Sequence, residues 1–130
     1  MVQRLRHGGR VIRKRVLTLP WPPSVNHYWM AHGSRRYISK RGYKYREDVL
    51  AACLEAYGGA VLPIEKQIKV TIEAFPPDNR CRDLDNLLKA PLDALAKANV
   101  YASDYQIADL RIIRRSKTEG GVLLVTVEVL

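Results

Sequence analysis

Residues 66–75 place the tightest constraint on the fold. Ile68, Val70, Ile72 and Ala74 alternate with Lys69, Thr71 and Glu73. A period of two puts successive side chains on opposite faces, so this segment is a half-buried strand with one apolar face that another layer must cover. Pro76-Pro77 closes it, because proline has no amide to give to a ladder. The covering layer is also legible. From about Lys40 to Tyr57, the residues Tyr45, Val49, Ala52, Cys53 and Ala56 recur at three- and four-residue spacing, the stripe of an amphipathic helix, and Gly58-Gly59 ends it.

The remaining elements follow the same logic. Val16, Leu17 and Leu19 make a short strand that stops at Pro20-Trp21-Pro22-Pro23, with Ser24-Val25-Asn26 continuing as a loop. A second helix covers roughly 86–98, with Leu88, Leu92, Leu95 and Ala96 on one side; Pro91 requires that it begin near Ala90 or kink there. Residues 107–115 and 122–130 read as two strands joined in a hairpin by Thr118-Glu119-Gly120-Gly121. The order β-α-β-α-β-β predicts an α+β fold: a mixed sheet of about four strands with two helices packed on it. At 130 residues this exhausts one domain.

An apolar fraction of 47% and a charged fraction of 27% suit a globular chain. No apolar run approaches the ~18 residues of a membrane span, and the first residues lack the apolar stretch of a secretory signal, so the expected location is cytoplasmic. Cys53 and Cys81 lack a metal-type spacing and read as reduced thiols.

Charge narrows the function. The net charge is +9, the footprint of a protein that binds a polyanion. Arg4, Arg6, Arg10, Arg13, Lys14 and Arg15 put six cations and no acid into residues 1–15, which with Gly8 and Gly9 read as a basic flexible arm preceding a domain over 16–130. A second acid-free block, Arg35, Arg36, Lys40, Arg41, Lys44 and Arg46, is interleaved with Tyr37, Tyr43 and Tyr45, a mixture suited to phosphate contacts plus stacking, or to solubility alone.

The chemistry concentrates at Asp83-Leu84-Asp85, after Arg80 and Arg82 and before a helix. In extended backbone, residues i and i+2 face the same way, so both carboxylates would address one site and hold a hard cation. Lys89, one helical turn on, is placed to meet a phosphate oxygen. By itself such a pair also serves to cap a helix, and Asp104, after Ser103, also fits a plain turn. His7, His27 and His32 show no zinc spacing and no nucleophilic triad can be assembled.

Taken in order, Pro20-Trp21-Pro22-Pro23-Ser24-Val25-Asn26, then Tyr37, Ser39, Gly42 and Tyr45-Arg46, then Arg82-Asp83-Leu84-Asp85-Asn86-Leu87-Leu88-Lys89, then Leu92-Asp93-Ala94-Leu95 and Asp104-Tyr105-Gln106-Ile107, make a set that resembles the RusA family of Holliday junction resolvases over about 16–130. The resemblance implies a homodimeric, metal-dependent endonuclease that cuts branched, four-way DNA in symmetric pairs during recombination and repair. It implies Mg²⁺, or Mn²⁺ in its place, on Asp83, Asp85 and Asp104, with Lys89 as a catalytic helper and Arg82 beside the DNA backbone. Arg80, Arg35, Arg36, Lys40, Arg41, Lys44 and Arg46 are the further candidate DNA contacts. Ser103 stands where the family often has a first aspartate before Asp104. The competing expectation is a DNA-binding protein that recognises branched structure without cutting it.

Overall fold

A computed structural model describes residues 13–60 and 62–130 in full, and before them only the backbone of Arg6, His7, Arg10 and Val11, where Arg6–His7 pairs antiparallel with Arg10–Val11. The rest of the proposed arm, including Arg4, Gly8 and Gly9, lies outside the described residues. The first long strand, β1, spans Lys14–Pro20. It starts two residues earlier than the apolar pattern implies, because Arg15 faces inward. That side chain is only 2% exposed; its Nη1 donates to the Val100 carbonyl at 3.1 Å and its guanidinium lies 5.4 Å from the Tyr57 ring centroid. Arg15 is therefore a core cation, not one of the arm's solvent charges.

After β1 the chain makes a one-turn helix α1 (Val25–Tyr28) and a hairpin of β2 (Trp29–His32) and β3 (Arg35–Ile38). Helix α2 runs Lys40–Tyr57, as its stripe predicts; Ser39 caps it by accepting from the Gly42 amide, and it stops at Gly58. Strand β4 is Ile68–Phe75, followed by a 3₁₀ turn over Leu84–Leu87 and helix α3 over Lys89–Lys97. Pro91 falls in the first turn of α3, where no amide donor is needed, so the helix begins at Lys89 and tolerates it. A second 3₁₀ turn, Asp104–Gln106, leads into β5 (Ile107–Arg114), and β6 is Val122–Val129.

The four long strands form one mixed sheet in the order β1-β6-β4-β5. β6 is antiparallel to both β1 and β4, and β5 is parallel to β4. The expected hairpin between 107–115 and 122–130 is thus corrected: β5 never pairs with β6. Leu123, Val125 and Val127 are fully buried, and a strand this apolar belongs in the sheet interior, whereas β5, with Ala108 to Arg111 all exposed, takes the edge. Gly121, at φ +67, makes this crossover possible: a Cβ there would sit 2.9–3.0 Å from Pro77 and Trp21.

The inner sheet face (Leu17, Leu19, Ile68, Val70, Ile72, Ala74, Leu123, Val125, Val127) packs on Tyr45, Val49 and Cys53 of α2 and Ala90, Ala94 and Leu95 of α3. Each large aliphatic side chain so buried contributes about 1.5–3 kcal/mol. The fold class is the α+β arrangement expected, with the β2–β3 hairpin and α1 added. Among the described residues no helix is long and apolar enough to cross a membrane.

Candidate active site

All the candidate chemistry sits in the crossover between β4 and β5. Parallel neighbours cannot be joined by a tight turn, so residues 76–106 must travel the length of the sheet, and α3 is the rod that carries them. The outgoing part of this crossover is clamped. Arg82 Nη1 pairs with Asp78 Oδ1 at 2.7 Å, Arg80 Nε approaches Asp78 Oδ2 at 3.3 Å, the Arg82 guanidinium lies 5.5 Å from the Trp21 ring centroid, and Arg114 Nη2 donates to the Arg82 carbonyl at 2.8 Å. The hydrogen bond from Arg82, helped by the Arg80 amide, holds the Asp78 carboxyl well below the usual carboxylate range.

Asp83 has extended backbone (φ −79°, ψ 134°), but Asp85 already lies in the 3₁₀ turn. The same-face argument for an extended pair therefore does not apply; both carboxylates are exposed on the outer side of the turn while Leu87 is buried beneath it. Asp83 opens onto a cleft of about 440 Å³ walled by Trp21, Pro22, Ser24, Asn26, Arg82 and Asn86. Trp21 also borders a neighbouring groove of about 450 Å³ rimmed by Lys40, Arg41 and Lys44. A basic track thus leads from the start of α2 past Trp21 to Asp83.

Asp104 occupies the incoming end of the crossover. Its turn is built by a capping box: Ser103 Oγ accepts from the Tyr105 amide at 3.2 Å and Gln106 Oε1 accepts from the Ser103 amide at 2.7 Å. Gln106 Nε2 in turn donates to the carbonyls of Ile64 and Lys66. Ser103 is therefore the residue that shapes the turn presenting Asp104. Lys89, Asp93 and Lys97 recur every four residues along α3, and the charges of all three act on Asp104. Burial raises the Asp104 carboxyl above its ordinary value, Lys89 pulls it down, and Asp93 pushes it up. Its Oδ1 is buried with no hydrogen-bond partner among the described residues.

The elements that carry the expected site residues meet at α3: the 3₁₀ turn after Asp83 runs directly into it, Lys89 is its first residue, and the turn of Asp104 packs against it. Among the described residues no three His, Cys, Asp or Glu side chains are gathered closely enough to hold an ion.

Of the basic candidates, Arg35, Arg36, Lys40, Arg41 and Lys44 are exposed, Lys44 pairing with Asp48 at 2.7 Å. Arg46 is not surface charge: its Nη2 pairs with Asp93 Oδ2 at 2.8 Å and its Nε donates to Tyr28 Oη at 3.1 Å. Tyr45 is likewise core, donating to the Pro20 carbonyl at 2.9 Å.

Sequence reasoning assigned no role to Trp21, Ser24, Asn26, Trp29 or Asn86, which line the clefts beside Asp83 and Lys89. The proline-rich run at 20–23 was the available signal, because a segment that can enter neither strand nor helix is free to cross a site.

Residues 20–128 match the family model described as endodeoxyribonuclease RusA. The chain is 42% identical over 113 residues to the crossover junction endodeoxyribonuclease of Enterobacteria phage 82, covering 85% of this chain and 91% of that protein. It is 41% identical over 113 residues to the protein of the same name in Escherichia coli strain K12, with the same coverage, and 44% identical over 105 residues to that of Enterobacteria phage HK97, covering 81% and 86%. A match of this extent, running from the last residue of β1 into β6 and taking in the whole crossover that carries Asp83, Lys89 and Asp104, shows that the chain belongs to the RusA family of endodeoxyribonucleases.

Proposed function

We propose that the protein is a Mg²⁺-dependent endonuclease that resolves four-way DNA junctions by paired, symmetric cuts, working as a homodimer in the cytoplasm during recombination and repair. The observation that carries this reading is Asp104, whose buried Oδ1 has no hydrogen-bond partner among the described residues and whose carboxyl feels the charge of Lys89. A carboxylate kept out of water costs free energy unless a cation or donor meets it, and an oxygen left unbonded is the kind a hard ion satisfies. The donor set suits Mg²⁺, which takes one or two carboxylates and completes its shell with water and substrate phosphate; Mn²⁺ would substitute. Asp83 and Asp85 would hold the ion, with Asp104 as the third carboxylate.

A bound ion would supply a water acidified toward neutral pH and polarise the phosphate. The protein's own groups do the rest. Lys40, Arg41 and Lys44 lead the DNA backbone along the groove to Trp21, whose ring walls the Asp83 cleft. Ser24, Asn26 and Asn86 offer hydrogen bonds that orient a phosphate there. Lys89 neutralises a non-bridging oxygen as charge grows in the transition state. Arg82, tied to Asp78, holds the loop in shape more than it reaches outward.

A synthetic four-way junction incubated with the protein and Mg²⁺ tests this reading. The expected result is a pair of cuts at symmetric positions that disappears in EDTA. Salt-sensitive junction binding without any product, in Mg²⁺ or Mn²⁺, would instead support the reading as a structure-selective DNA-binding protein.

A further inference from the structure

We propose that Trp29 is a positioning residue for the cleavage reaction: its ring holds the Lys89 ammonium in place without neutralising it. The inference rests on the reading that Lys89 meets the phosphate. Lys89 Nζ lies 5.5 Å from the Trp29 ring centroid, and among the described residues no carboxylate comes within ion-pair distance of it. An ion pair would fix the lysine equally well but cancel its charge. The negative face of an indole restrains a cation while leaving its positive charge and its three donors to an incoming phosphate.

The ring is itself held from behind. Tyr28 meets Trp29 edge-on, with centroids 5.5 Å apart and planes at 85°. Tyr28 donates to the Asp93 carboxylate, which is ion-paired to Arg46. The orientation of Trp29 is thus set by the α2–α3 contact rather than by the hairpin alone. Gly42 enforces the same placement: it lets α2 approach so closely that a Cβ there would lie 2.7 Å from the Tyr28 carbonyl oxygen. In front of the ring, Val25, Trp29, Arg36 and Lys89 bound an open cleft of about 450 Å³, and the Arg36 guanidinium lies 5.6 Å from the same ring. DNA entering along the hairpin would therefore meet Lys89 already aimed.

The test compares wild type, Trp29→Leu, Trp29→Phe, Lys89→Ala and the Trp29→Leu/Lys89→Ala double variant on a synthetic junction in Mg²⁺. It reads single-turnover rate, junction Kd and the NMR shifts of the Lys89 ε-methylene protons in the metal-free protein. Trp29→Leu is expected to cut about tenfold more slowly, with Kd changed by no more than about twofold. Trp29→Phe recovers most of the rate, and the double variant is no slower than Lys89→Ala, because the ring acts through the lysine. The Lys89 ε protons are shifted upfield by the ring current in wild type and return to ordinary values in Trp29→Leu.

A wild-type rate for Trp29→Leu, a further rate loss in the double variant, or unshifted Lys89 ε protons in wild type would overturn the proposal. If Lys89→Ala cuts like wild type, or wild type makes no cut, the proposal falls together with the reading of Lys89 or of the enzyme. The upfield shift would persist in both cases and tell that failure apart from a misplaced ring.

Discussion

Asp104 shows how one side chain can be placed against its own solvation. Burial favours its protonated form, so the associated stability is present at low pH and lost as pH rises through the raised pKa. In EDTA, Asp104→Asn should therefore melt above wild type at pH 7.5, with the gap shrinking as pH is lowered toward 4, while junction cleavage in Mg²⁺ falls nearly to zero. A variant that is no more stable yet fully active would make Asp104 a turn former and nothing more. Asp83→Asn should also abolish cleavage, but with junction affinity kept or increased, since it removes a negative charge facing phosphate. The two cysteines separate by the same physics. Burial pushes the Cys53 thiol up to about 11, whereas Cys81 is exposed, so native protein at pH 7.5 should take up one equivalent of iodoacetamide, located at Cys81 by peptide mapping.

At the scale of elements, the close approach of α2 to α1 is the most exacting contact. Alanine favours a helix over glycine by about 1 kcal/mol, yet Gly42→Ala should destabilise the protein by about 1–3 kcal/mol in urea titrations, because the new methyl meets the Tyr28 carbonyl and Ile38. A gain in stability would mean that α2 can slide without cost. Helix α2 and strand β4 were legible in the sequence because their signals are local periodicities. The pairing of β5 with β4 was not, since a partner some 40 residues away leaves no mark on the turn at 118–121, and the glycines there suit a crossover as well as a hairpin. The β2–β3 hairpin escaped because Trp29–His32 and Arg35–Ile38 are four residues each and mostly exposed, so they show no alternation. Its cations were read as one block with those of α2, and only the structure separates Arg36, on the hairpin, from Arg46, inside the α2–α3 contact. Asp83, Asp85, Lys89 and Asp104 were legible as a motif, but the 3₁₀ turns that present Asp85 and Asp104 were not, because turns of three or four residues leave no periodicity in the sequence.

For the whole molecule, a net charge of +9 implies binding that weakens steeply with salt. Deleting residues 1–12 removes Arg4, Arg6 and Arg10 and should flatten the log–log salt slope by up to about 2.7 if the arm lies on duplex DNA, with low-salt cleavage retained; an unchanged slope would leave the α2 groove and the hairpin as the whole contact surface. A homodimer that resolves a four-way junction would make two coordinated, metal-dependent cuts across it. The most direct measurement is cleavage of a supercoiled plasmid carrying an extruded cruciform, with Mg²⁺ added last. Relaxation of the plasmid absorbs the cruciform after an unpaired nick, so coordinated cutting yields linear DNA as the first product, and that is the result expected here. Open circles alone, or no product while the junction is visibly bound, would contradict it.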